Sequence, residues 1–239
     1  MKNLEYRRVH VAFLSLILIL MVLIDPKSFY MIILKPLIQY APAILIPISG
    51  IYYLTLILRK KVTAEITSWI TWVLISIAVL FSIFRTENDS LLISAIAGSI
   101  SPPLIVIFSV IKKQYVSWKD KKTWEKTLNI TCAILSIVSI VMSIVIGESS
   151  KELSLSLAIL ADGLAIIPVV MFVMKHPDKD RPFMWILFGI GYMIPLIIAT
   201  KYSFETLLLP ISMFIIPAFV WVPLVNHRIK NKIPLREWI

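Results

Sequence analysis

Long apolar stretches, uncharged or nearly so, recur along this chain, separated by short polar breaks. Eight such windows fall at 9–24, 36–58, 66–84, 90–111, 127–147, 153–174, 182–200 and 206–226. The last seven run 19 to 23 residues, about the length a helix needs to cross a hydrocarbon core of about 30 Å. The first is shorter at 16 residues, with 29–34 able to extend it. The pattern predicts an all-α integral membrane protein with about eight transmembrane helices. A basic start precedes the first window without a small-residue cleavage signature, so that window reads as a span and not as a removed signal peptide.

Composition sharpens this picture. Of 239 residues, 59% are hydrophobic and 16% charged, and the mean hydropathy is +0.88. Soluble domains carry about 25% charged residues. The net charge of +10 is distributed by side: 19 of the 24 Lys and Arg lie in the N-terminus, the 59–65 turn, the 112–126 loop, the 175–181 turn and the tail from 227. Positive charge marks the cytoplasmic face, which predicts a cell (inner) membrane protein with both termini cytoplasmic. Membrane lipids, not nucleic acid, are the expected partner of these basic segments. Cys132 is single, so no disulfide framework exists.

The chain also overlies itself. A shift of 116 residues places Arg59 on Lys175, Trp69 on Trp185, the polar turn 85–89 on 201–205, Lys35 on Lys151 and Lys112 on Arg228 without gaps. Four spans per copy is an even number, so both copies insert the same way round. That predicts an internal parallel duplication about an axis along the membrane normal, with a site between the repeats.

Two turns carry a family resemblance. "LILRKKVTAEITSWITW" (56–72) and "IIPVVMFVMKHPDKDRPFMW" (166–185) resemble the first-to-second-helix element of PQ-loop and SWEET-type transporters. Pro168 stands at the PQ proline, with Val169 in place of the glutamine; Tyr52 and Tyr53 stand there in the first copy, so the signature dipeptide itself is absent. The pattern Ser68-Trp69-x-x-Trp72 in the first half, with Asp162, Ala165, Pro168, Pro177 and Trp185 in the second, is similar to a group of uncharacterised bacterial multipass proteins. The resemblance covers about 40–226. It implies a SWEET-like 3+1+3 bundle with an extra N-terminal helix: 1–34 as that helix, 35–112 and 152–228 as three-helix bundles, 113–151 as a cytoplasmic loop and linker helix, and 229–239 as a cytoplasmic tail. It implies transport, with no substrate named.

Within the spans, Asp162 is the leading candidate for chemistry. It lies ten residues from Glu152 and twelve from Met174, near mid-span, where a carboxylate costs about 2.5–3.5 kcal/mol on insertion scales. No Lys or Arg within a span is available to neutralise it. Two readings stand: a polar group facing a cavity, or an acid that locks two helices. Tyr192, Ser76, Ser101, Tyr52 and Tyr53 fall at similar levels and complete the candidate binding set. Pro168, Pro102, Pro103 and Pro217 interrupt helices and are candidate hinges. Trp69, Trp72 and Trp185 fall near the basic ends of their spans, as an aromatic belt or as a gate.

These features point to a small-solute transporter or facilitator working by alternating access, with protons a candidate coupling ion. A non-transporting receptor or assembly factor on the same fold, using the basic loop and tail, is the alternative, and a homo-oligomer is open to either. His10, His176 and His227 have no metal-ligand spacing, and no phosphate loop, serine elbow or acid dyad is present. No enzyme activity, metal or cofactor is expected.

Overall fold

The computed structural model describes residues 35–84, 89–199 and 201–238. The first window, 9–24, lies outside them. The chain divides at Tyr40 into two units. Of the first, the described part is the short helix Lys35–Tyr40. Among the described residues of the second, seven α-helices follow: α1 Pro42–Leu58, α2 Ile66–Ile83, α3 Asp89–Lys112, α4 Thr123–Val145, α5 Lys151–Lys175, α6 Pro182–Ile198 and α7 Phe204–Lys230.

Six helical stretches are long and apolar enough to cross a membrane: Leu37–Leu58, Ile66–Ile83, Asp89–Lys112, Thr123–Val145, Gly147–Lys175 and Phe204–Lys230; Pro182–Ile198 is apolar but shorter. Their surfaces are sorted for lipid. On α4, Ile130, Ile134, Ile137, Val141 and Ile144 face outward, whereas Asn129, Cys132, Ser136 and Ser139 are buried at the three-and-four spacing of one helix face. In water this arrangement would be inverted. Small and hydroxyl-bearing residues let helices approach and bond in lipid, where apolar burial supplies no drive. The chain is a polytopic helical membrane protein.

In the second unit, α3 packs against both α1 and α2, and α7 packs against both α5 and α6. Between these triplets α1 meets α6 and α2 meets α5, while α4 lies against α2 and α5. Exchanging α1, α2, α3 with α5, α6, α7 leaves the principal pairs within and between the triplets unchanged. Contact between α3 and α6 departs from this exchange; α2 and α7 pack less closely.

The basic turns gather at one end. Helices α1, α3 and α7 each close with a lysine of positive φ (Lys60, Lys113 and Lys232). In each, the next N–H reaches back to the carbonyl five residues earlier: Lys61 to Leu56, Gln114 to Ser109 and Ile233 to Arg228, at 2.9–3.0 Å. Glycine usually occupies this position; lysine accepts the strain and sets a cation against the helix C-terminus. Glu65 caps α2, accepting from the Ser68 N–H and the Thr67 hydroxyl, each at 2.7 Å. Its carboxylate also pairs with Lys121 of the α3–α4 connection, both side chains being buried. Ala64 bonds through its N–H to the Gln114 carbonyl (3.0 Å) and accepts from the Val116 N–H (2.9 Å).

At the opposite end, Ser154 of α5 bonds with Ser82 of α2 (2.7 Å) and with Ser139 of α4 (2.9 Å). Lys151 pairs with Glu205 at 2.7 Å, joining α5 to α7.

Lys121→Met leaves the Glu65 carboxylate buried without its cation, a loss of about 3–5 kcal/mol. The double variant Glu65→Gln/Lys121→Met strands no charge and is expected to recover a large part of that loss, as read by thermal unfolding in detergent.

Candidate functional site

The α2–α5 contact is built from the two sequence motifs. The Ser68 hydroxyl donates to the Ala165 carbonyl at 2.7 Å, beside the turn that Pro168 interrupts; a neighbouring hydroxyl commonly tends the backbone near such a break. One helical turn further along α2, and three residues back along α5, the Trp72 indole N–H is directed at the Asp162 carboxyl. That N–H closes no hydrogen bond and is buried. The antiparallel register thus sets Ser68 on Ala165 and Trp72 on Asp162.

Asp162 is 6% exposed and opens onto a cavity of about 70 Å³ between the two triplets, room for several waters. All six helices of the triplets contribute and α4 does not: Ser49 and Gly50 from α1; Trp69, Trp72 and Ser76 from α2; Gly98, Ser101 and Pro102 from α3; Asp162 from α5; Trp185, Phe188 and Tyr192 from α6; Met213 and Pro217 from α7. Among the described residues no ion pair involves Asp162.

The cavity brings together Asp162, Tyr192, Ser76 and Ser101 of the expected binding set, and Trp69, Trp72, Trp185, Pro102 and Pro217 of the expected hinges and gates. It does not include Tyr52 or Tyr53. Tyr53 is buried against Trp69 (5.3 Å between ring centroids) and Trp185 (6.3 Å); Tyr52 packs edge-on against Phe183 at 5.3 Å. Pro103 and Pro168 lie within α3 and α5 but off the cavity wall. Phe188 and Met213 were not singled out from sequence. The 116-residue shift places Phe188 on Trp72, a signal that was available for the former.

The tryptophans do not form a belt. Trp69, Trp72 and Trp185 are all buried and pack on one another, with centroids 4.8 Å (Trp69–Trp72), 5.8 Å (Trp72–Trp185) and 6.0 Å (Trp69–Trp185) apart. Trp69 and Trp185 are counterparts in the 116-residue shift. So are Thr63 and Lys179, whose N–H and carbonyl are hydrogen-bonded at 2.9 Å. Corresponding residues of the α1–α2 and α5–α6 turns therefore meet over the basic end of the cavity.

Beneath Trp185 lies Asp180, a residue of the 175–181 turn that the sequence analysis did not single out. It is 2% exposed. Its carboxylate accepts from the Arg181 N–H at 2.6 Å and from the Trp185 indole N–H at 3.3 Å. Arg228 of α7 is equally buried but bonds the Asp180 backbone carbonyl (2.6 Å), with the Leu224 carbonyl (3.2 Å) and the Pro177 carbonyl (3.4 Å). Burial raises the Asp180 carboxyl from 3.8 to about 7, against the lowering effects of its hydrogen bonds and of Arg228 and Arg181.

Close approach holds Tyr192 in place. A Cβ on Gly98 would lie 2.1 Å from the Tyr192 hydroxyl oxygen, and one on Gly191 would lie 2.7 Å from Ile46. Ile46 is the counterpart of Asp162, so the α1–α6 contact is closed by a hydrocarbon where the α2–α5 contact carries the acid. Among the described residues no group of three His, Cys, Asp or Glu is arranged to hold a metal.

Gly98→Ala is expected to push Tyr192 out of its present position, lowering thermal stability by about 1–3 kcal/mol and increasing tyrosine and tryptophan accessibility to an aqueous quencher. For Asp180, a raised value means that the folded chain holds the proton more firmly than the unfolded one. Its contribution is present in full below about pH 4 and is lost as pH rises through about 7. Thermal midpoints of Asp180→Asn relative to the wild type should shift in favour of the variant between about pH 5 and pH 8; a pH-independent difference would refute the raised acid. No protein-family model, no curated protein and no solved structure matches this chain.

Proposed function

We propose that the protein is a small-solute transporter or facilitator of the cell (inner) membrane, built on a duplicated SWEET-like 3+1+3 bundle with both termini cytoplasmic. The observation that carries this reading is the cavity shared by six helices of two triplets, with an intramembrane acid on its wall and its basic end covered by counterpart residues. A solute site between two like bundles is what alternating access requires. Rocking the triplets apart at the basic end would part Trp69 from Trp185 and Thr63 from Lys179. Rocking them together would keep that end shut.

Helix breaks near the cavity support motion of this kind. Pro102 and Pro217 lie on its wall, one in each triplet, and each removes one backbone hydrogen bond within its helix. The Thr63–Lys179 bond is a light closure of a sort that thermal motion can open and reform.

The receptor or assembly-factor reading is less well supported, because the basic loop is folded onto its own chain. Lys121 is committed to Glu65, and the backbone of 114–116 pairs with Ala64. Trp118 and Trp124 of that segment stay exposed, so this reading keeps a surface but leaves the cavity unexplained.

Cysteines at Thr63 and Lys179, in a Cys132→Ser background, provide a test of the gate. Crosslinking them should abolish solute flux in liposomes, and reduction should restore it. Flux that persists unchanged through the crosslinked protein would rule out opening at this end.

A further inference from the structure

We propose that the solute bound in the central cavity is a compact organic monocation, a quaternary or protonated alkylammonium, with the Asp162 carboxylate as counter-ion and the surrounding aromatic rings as its cage. This rests on reading the cavity as a solute site and adds to it the charge and chemical class of the solute.

Three features of the cavity lead there. The first is charge. Asp162 is the one ionisable acid on the wall, and no lysine, arginine or histidine lines the cavity. A monocation stabilises the ionised carboxylate and restores neutrality, whereas an anion would be repelled by it.

The second is the ring content. Trp69, Trp72, Trp185, Phe188 and Tyr192 line one small space. Aromatic faces attract a cation within about 6 Å of the ring centroid, and cages of this composition recognise quaternary ammonium groups, whose charge is spread over methyls that give no hydrogen bonds. Phe188 packs on Tyr192 at 5.0 Å and the tryptophans pack on one another, so the rings are positioned before any solute arrives.

The third is the donor balance. The Ser49 hydroxyl donates to the Ile46 carbonyl at 2.6 Å and the Ser76 hydroxyl to the Val73 carbonyl at 2.9 Å. Both therefore offer lone pairs, not protons, to a solute. The Ser101 and Tyr192 hydroxyls add two groups that can donate or accept, but no Asn or Gln lines the wall, so a sugar meets hydroxyls and the acid without the amide groups that would pair its donors and acceptors. The Trp72 indole N–H is buried, without a partner, and directed at Asp162. It is placed to bond the ionised carboxylate from one side while a cation approaches from the cavity.

The test needs no variant for its main arm. Full-length protein in detergent is titrated with choline and with its uncharged carbon isostere 3,3-dimethylbutan-1-ol, following tryptophan fluorescence and calorimetry; uptake of both, and of a sugar and amino-acid panel, is then measured in liposomes. Choline is expected to bind at least about tenfold more tightly than the isostere, to quench the tryptophan signal, and to accumulate in liposomes. Trp72→Phe, which keeps a ring, should weaken choline less than Trp72→Leu, and Asp162→Asn should abolish the preference for the charged probe. Equal binding of choline and the isostere overturns the cation assignment. So does uptake of a sugar or neutral amino acid with no response to choline, although the transport reading then stands. If no probe binds and none is taken up, the site reading falls along with the cation assignment.

Discussion

A polar side chain on a helix in lipid has only its neighbours to bond with, and this constraint organises the whole second unit. Serines and threonines that would be solvated in water are turned onto adjoining helices or onto their own backbone. The consequence is directional. Ser68 fixes the rotation of α2 against α5 by bonding the Ala165 carbonyl, and Ser154 ties α5 to α2 and α4 at the far end. With both ends of the α2–α5 seam pinned, the level at which Asp162 meets Trp72 follows from helical geometry. The acid is therefore placed by hydroxyls rather than by a cation of its own.

The same constraint accounts for the contrast between the cavity and the basic end. Around the cavity the wall is aromatic and sparsely bonded. At the basic end, full charges are buried and each finds carbonyls or a counter-ion: Lys121 with Glu65, Arg228 with three backbone oxygens. The buried charges are thus bonded within each triplet, while Thr63–Lys179, Ser68–Ala165 and Ser82–Ser154 bond one triplet to the other.

Hydropathy located the helices well because the cost of charge in hydrocarbon is large and local. The windows 66–84 and 90–111 became Ile66–Ile83 and Asp89–Lys112. Helices α3, α4, α5 and α7 are longer than their windows, α5 beginning at Lys151 and ending at Lys175, because a window that excludes charge stops before terminal charged residues that still extend the helix; α1, α2 and α6 fall short of theirs. The cavity wall was legible only in part. Asp162 was conspicuous by its cost, and Tyr192, Ser76 and Ser101 by their level. Tyr52 and Tyr53 fall off the cavity wall because depth along a span does not fix helix rotation: Tyr53 packs on Trp69 and Trp185, and Tyr52 on Phe183. The burial of Asp180 and Arg228 was not legible, since nothing in a charged turn announces that it folds inward. The Thr63–Lys179 and Trp69–Trp185 contacts join positions that the 116-residue shift superposes.

Arg228 bears on how the chain assembles during synthesis. The guanidinium that ties together the carbonyls of Pro177 and Asp180 sits in the final turn of α7, some fifty residues downstream of the turn it grips. Until translation passes that point, the α5–α6 hairpin enters the bilayer with its connecting carbonyls unclamped. A chain stopped short of residue 228 would therefore lack the side chain that joins the end of α7 to the α5–α6 turn.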